Sequence, residues 1–248
     1  MTFSVVIPTK NEEEFIGNLL ESIKSQTLKP KEVIVADDST DNTRKVARKY
    51  GAEVVQGVSD GRIGLGRNLG AKHVKEDFIV FLDADVKLDP DFFEKSFKYI
   101  KKHNLDIATC LMAPYGDEDI SELVNLAYKV FNTIKLSTSK LPKAFVDNGA
   151  CIIVKRKALE KVKGFNENMK FAEDVHLVNK VRKKGYKHKV MPYKIYISTR
   201  RFLGRDYKDL VRLLITVLKL GIALYAGREV YKKLDKKTSK RYFANKKD

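Results

Sequence analysis

FSVVIPTKNEEEF, residues 3–15, is the stretch whose reading decides the fold. Phe3 to Pro8 is a run rich in β-branched apolar residues, the mark of a strand buried on both faces. It then turns polar, and from Asn11 to Ser25 the apolar residues Phe15, Leu19, Leu20 and Ile23 fall on one helical face. That is one βα unit, and the pattern repeats outward from it. EVIVAD (32–37) predicts a second buried strand, followed by Asp38, Ser39, Thr40 and Asp41, whose side chains cap a helix running to Tyr50. Next come a weaker strand at 53–56, a Gly-rich stretch at 57–70 opening a helix to about Lys75, and a strand at Phe78 to Leu82. A helix from Pro90 with Phe93, Phe97 and Ile100 inward, then a strand at Asp106 to Met112, complete the series. Such alternation predicts an α/β fold with a mainly parallel sheet and helices on both faces.

Beyond Pro114 the pattern loosens. A helix is predicted over Asp119 to Ser139, a strand over Gly149 to Val154, a helix over Glu173 to Lys184 ended by Gly185, and a strand-like stretch over His188 to Ile197. The organisation read from this is one domain, 1–203, with halves 1–112 and 113–203, and a C-terminal segment, 204–248.

The 248 residues are 43% apolar, enough to build a core and too apolar for general disorder. The net charge of +17 attracts an anionic partner without naming one. It is unevenly spread: from Arg200 to Asp248 there are 15 Lys or Arg against 5 Asp or Glu, so the last 49 residues carry +10 and the body only +7. Within that tail, Lys208, Arg212, Thr216 and Lys219 form a narrow polar stripe on an otherwise apolar helical stretch ending near residue 227. This predicts an amphipathic helix lying on an anionic membrane surface, next to a basic run from Arg228 to Lys247. No known nucleic-acid-binding motif accompanies the charge, so nucleic acid is not an expected partner.

Cys110 and Cys151 lie in strand-like surroundings with no CxxC spacing, which predicts buried thiols in a reducing compartment rather than a metal site or disulfide framework. The apolar stretch Phe3 to Ile7 is too short for a secretory signal, and no window reaches 18 uncharged apolar residues. The expected location is cytoplasmic, peripheral to the inner face of the cell membrane.

In an open α/β sheet a ligand binds beyond the carboxyl ends of the strands. Three apolar runs here end in acids: VVIPTKNE (5–12), VIVADDSTD (33–41) and IVFLDADV (79–86). Asp83 and Asp85, taken as extended, would point the same way and approach one divalent cation and its bound phosphates. Hard oxygen donors without His or Cys favour Mg2+ or Mn2+. The glycines around Arg67 read GxGxxxG through Gly70, which fits neither the dinucleotide fingerprint nor the P-loop, where Arg67-Asn68 replaces the required Lys-Ser/Thr.

The ordered set VVIPTKNEE, VIVADDSTDNT, GLGRNLGAK, FLDAD and FAEDVHL resembles the family 2 glycosyltransferases, from about residue 3 to residue 203. The resemblance implies a GT-A fold and inverting transfer of a sugar from a nucleotide-diphosphate donor of the UDP or GDP type. It implies that Pro8, Thr9, Lys10 and Glu12 surround the base, with Asp38 accepting from its imide N–H and Asp37 beside it. Lys10 stands where the family often has an aromatic. Asp85 is implied as direct metal ligand, with Asp83 nearer the ribose and the ion's water shell, Arg67 near the base or diphosphate, and Arg200 and Arg201 over the diphosphate. Asn148 and Gly149 fall on the acceptor side. In the acid pair Glu173-Asp174, Asp174 corresponds to the general base, supported by Glu173 or His176. The QxxRW of processive members is absent, so a single transfer is expected, to an acceptor hydroxyl or a polyprenyl or other lipid-linked phosphate. The alternative, a nucleotidyltransferase of similar sheet, needs a Gly/Arg-rich loop after the first strand, where this chain has TKNEEE.

Overall fold

The computed structural model describes residues 1–57, 61–116, 122–141, 147, 149–170 and 172–199. Asn148, Arg200, Arg201 and the basic segment 204–248 lie outside the described residues. Within them, eight strands form one sheet: β1 (Phe3–Thr9), β2 (Val33–Asp37), β3 (Glu53–Gln56), β4 (Phe78–Leu82), β5 (Val86–Lys87), β6 (Ile107–Tyr115), β7 (Cys151–Lys155) and β8 (His188–Ser198). Their order is β3-β2-β1-β4-β7-β6-β8-β5. The helices are α1 (Ile16–Lys24), α2 (Thr43–Lys49), α3 (Ile63–Ala71), α4 (Phe92–His103), α5 (Glu122–Ser139), α6 (Arg156–Lys161) and α7 (Glu173–Lys183).

The first-half strands pair in parallel as the alternation requires, with Val5 opposite Val33, Phe3 opposite Phe78 and Ile34 opposite Glu53. Strand order reverses direction at β1, which has β2 on one side and β4 on the other, so a crevice opens beyond the carboxyl ends of β1 and β4. Past β4 the sheet is mixed. β7 runs antiparallel to both β4 and β6, β8 is parallel to β6, and β5 is antiparallel to β8. The reversal of β7 follows from where the chain re-enters: the Asp83 N–H donates to the Ala150 carbonyl at 3.2 Å, so this strand starts at the carboxyl edge of β4 and can only run back down the sheet.

Side chains of β1 alternate between two cores. Val5 and Ile7 join Leu19, Leu20 and Ile23 of α1 and Phe93, Phe97 and Ile100 of α4 on one face. Val6 joins Ile79, Phe81, Phe165 and Leu177, Val178 and Val181 of α7 on the other. Phe81 and Phe165 meet edge to face at 5.1 Å. Cys110 and Cys151 are both buried and neither is in a disulfide.

Three local expectations are corrected. Asp83-Ala84-Asp85 is a turn between β4 and β5, not an extended segment, because the chain leaves β4 and must bend to reach the distant edge position of β5. The Gly-rich stretch is mostly helix: α3 begins at Ile63 and contains Gly64, Gly66 and Gly70. The first helix is shorter than expected, starting at Ile16, with Asn11 at φ 54° in the preceding turn.

Candidate active site

Two groups of polar side chains line the carboxyl edge of the sheet. The first sits at the ends of β1 and β2. The Asp37 side chain is fully buried and accepts from Thr9 Oγ1 at 2.7 Å, Ser39 Oγ at 2.6 Å and the Ser39 N–H at 3.2 Å, with Arg44 Nε 3.0 Å from Oδ2. Such a carboxylate is consumed in shaping the loop. Its neighbour Asp38 keeps its side chain partly exposed and pairs with the exposed Lys10 at 3.2 Å, leaving an acceptor and an ammonium side by side at the rim. The Asp38 N–H donates to the Thr9 carbonyl at 3.0 Å, and the Glu12 N–H donates to Thr43 Oγ1 at 2.8 Å, which ties the loop after β1 to α2. Pro8 lies beneath Gly66, where a Cβ on the glycine would come within 3.1 Å of the proline Cβ. The helix carrying Arg67 therefore rests directly on the strand that ends in Thr9.

The second group gathers around Arg67. Its guanidinium is 1% exposed and stands over the Phe165 ring at 5.2 Å. Nη1 donates to Glu173 Oε1 at 2.6 Å, and Nη2 donates to Asp83 Oδ1 and to the Gly149 carbonyl, each at 2.9 Å. Burial works against its charge, but Asp83, Glu173 and Asp174 more than offset this and keep it protonated. Arg67 thus draws the acid after β4, the acid pair at the start of α7 and the segment before β7 onto one point. Asp85, at the far side of the 83–85 turn, is 1% exposed, and its carbonyl accepts from the Ser198 N–H at 3.0 Å.

Glu173 and Asp174 open α7, where the helix dipole favours negative charge. The residue before them, Ala172, adopts a left-handed φ of 55°, a conformation that costs a non-glycine residue about 1–3 kcal/mol. Asp174 is buried, and its pKa is raised to about 8, first by burial and then by the adjacent Glu173, with Arg67 pulling the other way. A carboxyl with its pKa there exchanges its proton close to neutral pH.

The structure thus brings Arg67, Asp83, Gly149, Glu173 and Asp174 together, and sets Pro8, Thr9, Lys10, Glu12, Asp37 and Asp38 beside them. Among the described residues, no three His, Cys, Asp or Glu side chains close on one metal-sized point. The chemistry of the donor set still fits a divalent ion: Asp83, with Oδ1 on Arg67, and the buried Asp85 are hard-oxygen residues on one turn, and an ion that shares a diphosphate takes only one or two carboxylates from the protein.

Sequence reasoning missed two features. Asn68 clamps the loop that leads to the acid pair, accepting from the Phe165 N–H at 2.8 Å and donating to the Phe165 carbonyl at 3.0 Å. Lys135, Asp147 and His188 form a buried polar cluster behind Gly149. The one signal for Lys135 was its place four residues after Phe131 and eight after Ala127, on the apolar stripe of the helix.

Comparison with known proteins adds an independent line. The family model described as Glycosyl transferase family 2 matches residues 4–163, more than half of the chain. The minor teichoic acid biosynthesis protein GgaB of Bacillus subtilis is 28% identical over 194 residues, covering 74% of this chain and 21% of that protein. The poly(ribitol-phosphate) beta-N-acetylglucosaminyltransferase TarS of Staphylococcus aureus is 34% identical over 116 residues, 43% of this chain and 20% of the relative. The chain thus spans about a fifth of the length of these curated relatives. Among solved structures, the mannosyltransferase PcManGT of Pyrobaculum calidifontis in complex with GDP-Man and Mn2+ superposes with a TM-score of 0.69 at 19% identity, over 96% of this chain and 69% of that one. S. aureus TarS 1-349 in complex with UDP gives 0.62 at 24% identity, over 98% and 72%. These likenesses establish the shared fold.

Proposed function

This chain belongs to glycosyl transferase family 2, and on that premise we propose that it moves a sugar, with inversion, from a nucleotide-diphosphate donor to an acceptor hydroxyl or lipid phosphate. The observation that carries this reading is the convergence on Arg67 of Asp83 and Glu173, with Asp174 next in the chain. A metal-diphosphate acid and a base of raised pKa at one edge of an α/β sheet are the parts that displacement at an anomeric carbon needs.

Asp38 takes the base's imide N–H, and Lys10 beside it offers a donor to the neighbouring base carbonyl; this pairing suits uracil and guanine alike. Pro8, Thr9 and Glu12 shape the pocket wall, and Asp37 holds the loop. Arg67 neutralises the acids under the diphosphate, and Arg201 joins it there. Asp83 and Asp85 would hold Mn2+ or Mg2+, which when bound neutralises the departing diphosphate. Where the acceptor is a hydroxyl, Asp174 takes its proton as the oxygen attacks in line, on the face opposite the nucleotide, and the nucleoside diphosphate departs. Asn148, Gly149 and Glu173 border the acceptor. TarS and GgaB, relatives named for poly(ribitol-phosphate) and for minor teichoic acid, support an anionic acceptor, and the +10 tail supports meeting it at the inner membrane surface. Among the described residues no helix is long and apolar enough to cross a membrane.

The test is turnover of UDP-, GDP- and dTDP-sugars with Mn2+ and with EDTA, alongside thermal shift. Asp85→Ala retaining full metal-dependent turnover would overturn the metal assignment. Deleting 204–248 should weaken binding to anionic vesicles and leave donor binding intact; unchanged vesicle binding removes the membrane role.

A further inference from the structure

Behind the site lies a buried ion pair that the transfer chemistry does not use. Lys135 Nζ is 2.7 Å from Asp147 Oδ1, with the two side chains 0% and 1% exposed, and it also donates to the Cys110 carbonyl of β6 at 2.8 Å. His188 of β8, equally buried, places Nε2 3.5 Å from Asp147 Oδ2 and 3.3 Å from Thr109 Oγ1. α5 and the residue two before Gly149 thus meet in one ion pair, with β6 and β8 packed against it through the Cys110 carbonyl and the His188 ring.

Stability alone does not account for this arrangement. Taking an ammonium and a carboxylate out of water costs several kcal/mol per ion, and apolar residues of similar volume are often as stabilising or more so. α5 leaves Leu126, Val130 and Leu136 exposed while turning a lysine fully inward. What the pair does fix is a place in the chain. Two residues after Asp147, the Gly149 carbonyl accepts from Arg67 Nη2 at 2.9 Å, and a Cβ at Gly149 would lie 2.6 Å from that nitrogen. The Gly149 backbone and the guanidinium are in close contact, two positions along the chain from the ion-paired Asp147.

We propose that Lys135 is a positioning residue for sugar transfer: by fixing Asp147 it anchors the chain two positions before Gly149, whose carbonyl in turn sets Arg67 against Asp83 and Glu173. This rests on the transferase reading above. The contacts that hold the base-binding loops at the ends of β1 and β2, those of Thr9, Ser39 and Arg44 with Asp37, are separate from Lys135 and Asp147, so the anchoring should act on turnover more than on recognition of the base.

The experiment compares wild type with K135M, D147N and K135M/D147N. The double variant carries no buried charge and keeps the study informative where a single variant fails to fold. Expected is a fall in kcat per folded molecule of about tenfold or more, equal in all variants that fold because they break one chain of contacts, and larger than any accompanying rise in donor KM. Hydrogen exchange should quicken in a peptide covering 147–155 and stay unchanged at the ends of β1 and β2. Wild-type kcat in the double variant, or exchange at 147–155 unchanged, overturns the inference. Wild type inert toward every UDP, GDP and dTDP sugar overturns the transferase reading instead, and the exchange measurement still decides the coupling.

Discussion

Arg67 Nη1 lies 2.6 Å from Glu173 Oε1, with both side chains buried, and the two residues are 106 positions apart in the chain. The contact joins a helix of the first half to the acid pair of the second, and Nη2 of the same group holds Asp83. Removing one member of a buried pair leaves an uncompensated charge, at a cost of about 3–5 kcal/mol.

Arg67→Met should therefore destabilise by about that amount, since it strands Asp83 and Glu173 next to Asp174. Glu173→Gln keeps a hydrogen-bond acceptor for Arg67 and relieves a like charge beside Asp174, and should cost markedly less. Urea unfolding at neutral pH measures both. A loss below about 1 kcal/mol for Arg67→Met would mean that the pair is not the strut described.

Asp174→Asn should abolish most transfer, by the factor of about 10²–10⁴ that a general base contributes, while donor binding persists. Because the carboxyl has its pKa raised to about 8, the unbound enzyme holds it mostly protonated at neutral pH. The kcat/KM of wild type should rise with pH until the group ionises. The same shift bears on stability. The folded pKa exceeds the unfolded value of 3.8, so the unfolded chain gives up this proton first and stability falls as pH climbs from about 4 to 8. Asp174→Asn should flatten that fall. Full transfer by the variant would remove Asp174 as the base.

The strands of the first half were legible because a strand covered on both faces is apolar along nearly its whole length, as FSVVIP, with Ser4 its one polar residue, and FIVFL are. The acids could be grouped because an open sheet offers one edge to ligands. Where sequence reasoning stopped, tertiary placement decides. The two residues of β5 and six of α6 are too short to show a period, and the direction of β7 depends on which edge the chain reaches after α5. Asp37 and Asp38 read alike in sequence; only the backbone sends one inward to Thr9, Ser39 and Arg44 and the other to the rim. Lys135 is the sharpest case, since a lysine in a helix is by default solvated, and its acceptor Asp147 becomes visible only once β6 and α5 are packed.

Gly70 carries a prediction about packing alone. A Cβ there would lie 2.4 Å from Val6 Cγ1 in the buried middle of β1. Val6 is β-branched, fully buried and paired in the sheet on both sides, so it cannot swing away. Gly70→Ala should destabilise by about 1–3 kcal/mol despite the better helix propensity of alanine. Gly70→Ala with Val6→Ala should recover part of the loss, because the smaller strand residue makes room. No recovery in thermal unfolding of the double variant would show that the strain lies elsewhere.

His188 supplies an acid-side prediction of the opposite sign to that of Asp174. Burial lowers its pKa to about 4, assisted by the nearby Lys135 and Arg182, against the pull of Asp147. An unfolded histidine protonates near 6.5, so below that pH the unfolded chain binds a proton that the folded one refuses. Stability contributed above pH 6.5 is lost as pH falls toward 4, in total about 3 kcal/mol. Asp174 titrates through the same window in the other direction, so the comparison belongs in an Asp174→Asn background. There, His188→Gln should remove the acid-side loss between pH 6.5 and 4 in urea unfolding curves. Parallel curves with and without the histidine would mean that His188 takes up its proton in the folded state, and that Asp147 outweighs the burial.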